Sequence, residues 1–196
     1  MCGKSGFALP GNLDPRPGKS QATSPAQAEF VICDQAIDIT YLPTREGWLY
    51  LAVLLDAHSR RVVGWAMAAH LRTELALDAL ARAFRTRRPT PGLVHHTDRG
   101  CQYTAVAYRE ALAARGVTTS VRRSGNCLDN AMAESFFATL KAELVERRRR
   151  VTRAAARTAI FAWIEVCYNR QRAHSALAYQ PPARFEEMSL LQNSVA

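Results

Sequence analysis

At 196 residues with 48% hydrophobic content, the chain has the length and apolar mass for one globular domain with tails. No apolar run approaches a membrane span, the N-terminus lacks a signal peptide's apolar stretch, and the five cysteines and five histidines show no Cys-x-x-Cys pair or zinc-ligand spacing, so a soluble protein of a reducing compartment is expected, without a small-molecule cofactor. The formal charge of +9 is carried between Arg99 and Arg184, where 15 Lys and Arg stand against 6 Asp and Glu. Such a surface favours a polyanion, nucleic acid before anionic membrane, unless it is simply a solvated arginine-rich face.

Residues 1–28 are rich in Gly, Pro, Ser, Gln and Asn without periodicity and read as a flexible leader outside the fold. From Phe30 the pattern changes to short apolar runs. "QAIDITYLP", "GWLYLAVLLDAHS" and "RRVVGWAMAAH" predict three antiparallel strands, and "TELALDALARAFRTR" predicts a helix that Thr73 can cap. A buried strand "GLVHHTD", a helix "TAVAYREALAARG" closed by Gly116, a strand "VTTSV" and a loop "RRSGNCLDN" follow. Two longer helices at 130–146 and 153–170 precede an irregular "NRQRAHSALAYQPPARFEE". Three meandering strands followed by alternating helix and strand predict an α/β fold with a mixed five-stranded sheet covered by helices.

Three acids stand out. Asp38 is a charge inside an apolar strand, sharing a face with Ala36 and Thr40. Alone it reads equally as an edge residue facing water. Asp98 ends its strand, where α/β sheets present ligand groups, although a turn cap is as common there. On the helix "NAMAESFFATLKAEL", Met132, Phe136, Leu140 and Leu144 form a docking arc, while Asn130, Glu134 and Lys141 share another strip. A solvated face would explain that strip. An acid and a base two turns apart also match a metal ligand followed by a phosphate contact. Clustered carboxylates repel unless cations hold them ionised, and oxygen-only ligands select two Mg²⁺ or Mn²⁺ ions over zinc. Two such ions suit phosphoryl transfer.

"DITY" with Asp38, "HHTDRGCQY" with Asp98 and "DNAMAESFFATLKAEL" with Glu134 and Lys141 resemble the catalytic core of DDE transposases and retroviral integrases. "GWLYLAVLLDAHSRRVVGWAM" and "YNRQRAHSALAYQPPARFE" further resemble the second-reading-frame transposase of bacterial insertion sequences of the IS-three family. The resemblance spans about Phe30 to Glu187, with 35 residues between Asp98 and Glu134. It implies a ribonuclease-H-like fold with a C-terminal helical extension: a catalytic core over residues 29–151, and a C-terminal helix and tail over 152–196. It also implies two Mg²⁺ ions on Asp38, Asp98 and Glu134, hydrolysis at a transposon end, and strand transfer into target DNA by the freed 3′ hydroxyl. The active complex would be a homo-oligomer in the bacterial cytoplasm. Lys141 maps onto the DNA-end contact, and Arg99, Arg122, Arg123, Asn130, Arg172 and His174 are further candidate DNA contacts. Tyr168, Asn169, Arg172 and His174 match the C-terminal motif, and Asp56 reads as a turn cap or supporting group rather than a ligand.

Two features depart from the family pattern. "CDQAIDITY" lacks a tryptophan and about two residues before the first aspartate, and the leader stands where a helical DNA-recognition region is expected. A truncated or decayed copy is the expectation that follows, so a catalytically inert DNA-binding fragment is the alternative to an active core. A cellular ribonuclease-H-type nuclease is a third reading.

Overall fold

The computed structural model describes residues 34–87, 89, 92–98, 100–121, 128–145 and 152–193, with 121, 128–130, 145 and 193 described by backbone alone. β1 (Gln35–Thr44), β2 (Gly47–Asp56) and β3 (Val62–Ala68) form the expected antiparallel meander. β4 (Val94–Thr97) and β5 (Thr118–Val121) add in parallel, giving a five-stranded mixed sheet in the order β3-β2-β1-β4-β5. The central strand is therefore β1, which carries Asp38.

Side-chain alternation splits the interior into two layers. Leu49, Leu51, Val53 and Leu55 of β2 face one side, and Ala52 and Leu54 the other. α1 (Thr73–Thr86), α2 (Cys101–Thr104) and α3 (Val106–Ala113) cover the second face. The first is covered by α4 (Leu128–Leu140), which runs on through a wider π turn at Lys141–Val145, and by α5 (Arg153–Ala162), which runs on through Trp163–Gln171. β3 and α1 approach so closely that a Cβ on Gly64 would lie 2.4 Å from the Ala79 carbonyl oxygen. Only glycine fits there.

Three local expectations are corrected. Thr73 is the first helical residue of α1 rather than its cap; Arg72 takes the cap position and makes no side-chain cap bond. The helix expected from Thr104 to Gly116 is the shorter Val106–Ala113, set off from a separate short helix, Cys101–Thr104, by Ala105, which is extended at ψ 141. Five residues on a continuous helix are ~140° apart, so the break is what lets Tyr103 and Tyr108 both turn inward and meet edge to face at 5.6 Å. The stretch read as irregular contains α6 (Pro182–Asn193), whose first position suits proline, having no N–H to lose and a preset φ.

The C-terminal residues close two openings in the sheet. Asn169 accepts a hydrogen bond from Val62 N at 3.0 Å and donates to Val62 O at 3.1 Å, continuing the ladder at edge strand β3. From α6, Glu186 reaches Ser59 Oγ, Arg61 and Arg87, while Asp56 takes the other branch of Arg87 and caps the β2–β3 turn through the amides of His58 and Ser59. Burial holds the Arg87 guanidinium below its usual range, at about 10, against the favourable pull of Asp56. Two acids and two arginines satisfy one another there, as buried charges must. No described helix is long and apolar enough to cross a membrane.

Candidate active site

β1 and β4 run parallel with Gln35 opposite His95 and Ala36 opposite His96. Continued by two residues, that register sets Asp38 level with Asp98, one beyond the last residue of β4. Each carboxylate is oriented by a backbone amide: Asp38 Oδ1 accepts from Ile39 N at 2.7 Å, and Asp98 Oδ1 from Gly100 N at 2.7 Å. Gly100 has a steric reason as well. A Cβ on it would sit 2.8 Å from Asp98 Oδ1 and 3.0 Å from Gln102 Oε1, so any other residue would displace the carboxylate.

Tyr103 lies within electrostatic reach of both acids. It is 5% exposed, and its hydroxyl has no hydrogen-bond partner among the described residues. Burial pushes its pKa up most, and the negative charges of Asp38 and then, after Tyr108, Asp98 push it further. One phenol thus senses both carboxylates. Tyr103 was not a candidate from the sequence, although it ends the motif "HHTDRGCQY" that carries Asp98.

Glu134 is exposed on α4, which docks against β1 through Met132, Ala133, Phe136, Phe137 and Leu140. Lys141 opens the π turn and holds its ammonium 5.7 Å from the ring centroid of Tyr41 on β1. The acid and the base therefore stand on the helix that crosses the strand of Asp38. Among the described residues no three His, Cys, Asp or Glu side chains are close enough to share one metal ion, so Glu134 is not drawn in to the two aspartates. Asp38 and Asp98 offer carboxylate oxygens with a backbone amide behind each, the donor type that hard divalent cations take.

Arg172 and His174 stand together beside Arg60 on another flank of α4, Arg172 in an ion pair with Glu143. Arg99, Arg122 and Arg123 lie outside the described residues, and Asn130 is placed by backbone alone in α4. Asp56 is fully buried in its turn and has no access to a substrate, which matches its reading as a cap.

Residues 36–127 match the integrase core domain family, and a second integrase core domain match covers residues 115–182. The chain is 47% identical over 150 residues to the transposase for insertion sequence element IS904 of Lactococcus lactis, covering 76% of this chain and 59% of that protein. It is also 42% identical over 153 residues to transposase InsF for IS3A of Escherichia coli K12, covering 78% of this chain and 53% of that one. The chain thus spans little more than half the length of the curated relatives it matches. A chain of the simian T-cell lymphotropic virus intasome, solved by cryo-EM with PP2A regulatory subunit B56 gamma, superposes with a TM-score of 0.65 at 15% identity, over 79% of this chain and 54% of that one. With the strand order above, that superposition makes the fold ribonuclease-H-like, as the motifs implied. Overlapping matches from Ala36 to Pro182, with transposase relatives over most of that span, make the chain a member of the integrase core family of insertion-sequence transposases.

Proposed function

We propose that the chain carries a DDE site for divalent-metal-dependent phosphodiester hydrolysis and strand transfer on DNA. Asp38, Asp98 and Glu134 would hold two Mg²⁺ or Mn²⁺ ions, and Lys141 would contact the DNA end. The observation that supports this best is the β1–β4 register, which sets two carboxylates side by side at a strand's C-terminal end, with α4 carrying Glu134 and Lys141 across the same strand. When bound, the ions supply charge neutralisation at the phosphate and ease deprotonation of the attacking hydroxyl or water.

The chain's own residues contribute orientation. The amides of Ile39 and Gly100 each fix one aspartate oxygen. The buried Tyr103 hydroxyl stays protonated, because burial and the charges of the two aspartates all oppose its ionisation. Lys141 adds a cation beside β1, where a negatively charged strand would approach. The DNA partners are transposon ends and target, the working form is a homo-oligomer, and the place of action is the bacterial cytoplasm.

The test is nicking of a duplex bearing the flanking terminal repeats, in Mg²⁺ or Mn²⁺, with an RNA–DNA hybrid alongside. Asp98→Asn and Glu134→Gln should keep the parental circular dichroism and lose cleavage, since each removes an anionic ligand while keeping its shape. Cleavage by either variant at the parental rate would sink the assignment, and preferential cleavage of the hybrid would move the chain to the nuclease reading.

A further inference from the structure

A cavity of about 260 Å³ opens beside α4, walled by Ser135 and Thr139 of that helix, Arg60 of the β2–β3 turn, and Arg172, His174 and Ser175 of the C-terminal segment. Its surface is predominantly polar. Ser135 and Thr139 stand about 100° and 140° round α4 from Glu134, so the cavity lies on a different flank from the acid and Lys141.

Of the two arginines at the cavity, one has an ion pair among the described residues. Arg172 is paired with Glu143, but Arg60 has no ion pair among the described residues, and His174 Nε2 is buried without a hydrogen-bond partner. The three groups sense one another: burial lowers the His174 pKa most, and Arg172 and then Arg60 lower it further. Arg60 also occupies the left-handed region at φ 60, which an arginine adopts only where its surroundings enforce it. Here the enforcement is the Asp56-capped turn, through Arg60 N donating to Asp56 O at 2.9 Å. The turn holds the guanidinium toward the cavity wall at a position that asparagine or glycine would occupy with less strain.

We propose that this cavity is a phosphate-binding subsite that takes a backbone phosphate of DNA on the flank of α4 away from the acids. It rests on the reading of DNA as substrate given above. The donors come from three separate elements, and guanidinium, imidazole and hydroxyl groups arriving from different directions suit a tetrahedral anion better than a planar carboxylate. A phosphate would also supply the negative charge that Arg60 lacks and a hydrogen-bond partner for the His174 ring. A duplex engaged at both Lys141 and this cavity would straddle α4, which positions it rather than reads its sequence.

The test uses the full chain without divalent metal, so that its result is independent of cleavage. Inorganic phosphate is titrated while the His174 ring resonances are followed by NMR, and a short duplex is then added as competitor. A saturable shift of His174 is expected, and the duplex should give its own shift at far lower concentration and abolish the response to added phosphate. Arg60→Asn and Arg60→Gly both suit a positive φ and so should fold; both should abolish the shift and lower the slope of log affinity for DNA against log salt by about one unit. No saturable shift, no competition by duplex, or an unaltered slope and affinity in folded Arg60 variants would overturn the proposal.

Discussion

Replacing Asn169 by leucine should cost about 2–6 kcal/mol of stability without touching DNA directly. The side chain is 2% exposed, and it pairs with both Val62 N and Val62 O beyond the β3 edge, at 3.0 and 3.1 Å. Leucine fills nearly the same volume but leaves one buried donor and one buried acceptor unmatched, each costing ~1–3 kcal/mol. For a domain of this size that corresponds to a melting temperature lower by roughly 5–15 °C. Urea unfolding followed by the fluorescence of Trp65 and Trp163, both packed in the adjoining core, measures it. The midpoint should fall by about 1–2 M at unchanged m. Asn169→Asp sharpens the test: it keeps the acceptor for Val62 N but loses the donor and buries a charge, so it should be no better than leucine at pH 7. A loss under ~1 kcal/mol for Asn169→Leu at constant m would refute the edge-closing role. Well below its midpoint, the variant should bind DNA like the parent.

Two further outcomes follow from single side chains. Lys141→Ala should leave the fold intact, lower the salt slope of DNA binding by about one unit and spare divalent-ion binding, as read by DNA anisotropy across a salt series; an unchanged slope and affinity would return Lys141 to a solvated face. His95 is buried against Tyr108, Nε2 to Oη 2.8 Å, and burial, helped by His96, lowers its pKa from 6.5 to about 3. The unfolded chain therefore binds the proton more readily, so the stability from neutral His95 is complete above pH 6.5 and is lost as pH falls toward 3. Between pH 7 and pH 5 that loss is about 2 kcal/mol. His95→Gln should flatten this part of the pH profile in urea midpoints, and a profile parallel to the parent's would contradict the assignment.

Much of the architecture was legible in the chain because it follows from local rules. Period-two alternation in "QAIDITYLP" and "GWLYLAVLLD" predicts both the strands and the face of Asp38, and the apolar arc of "NAMAESFFATLKAEL" predicts the docking side of α4. The motifs around Asp38, Asp98 and Glu134 were enough to point to the family, since they recur in order with characteristic spacing. What the sequence could not determine are the relations between residues far apart along it. The break at Ala105 lets two tyrosines share one core, and α6 is fastened where Glu186 meets Ser59, Arg61 and Arg87. The pairing of β1 with β4 sets Asp38 beside Asp98 across sixty positions, a register that no local pattern encodes. Tyr103 and Arg60 gain their significance from the same cause. Burial and proximity to charges distant in sequence give a phenol and a turn arginine their chemistry, and those are properties of the packed chain alone.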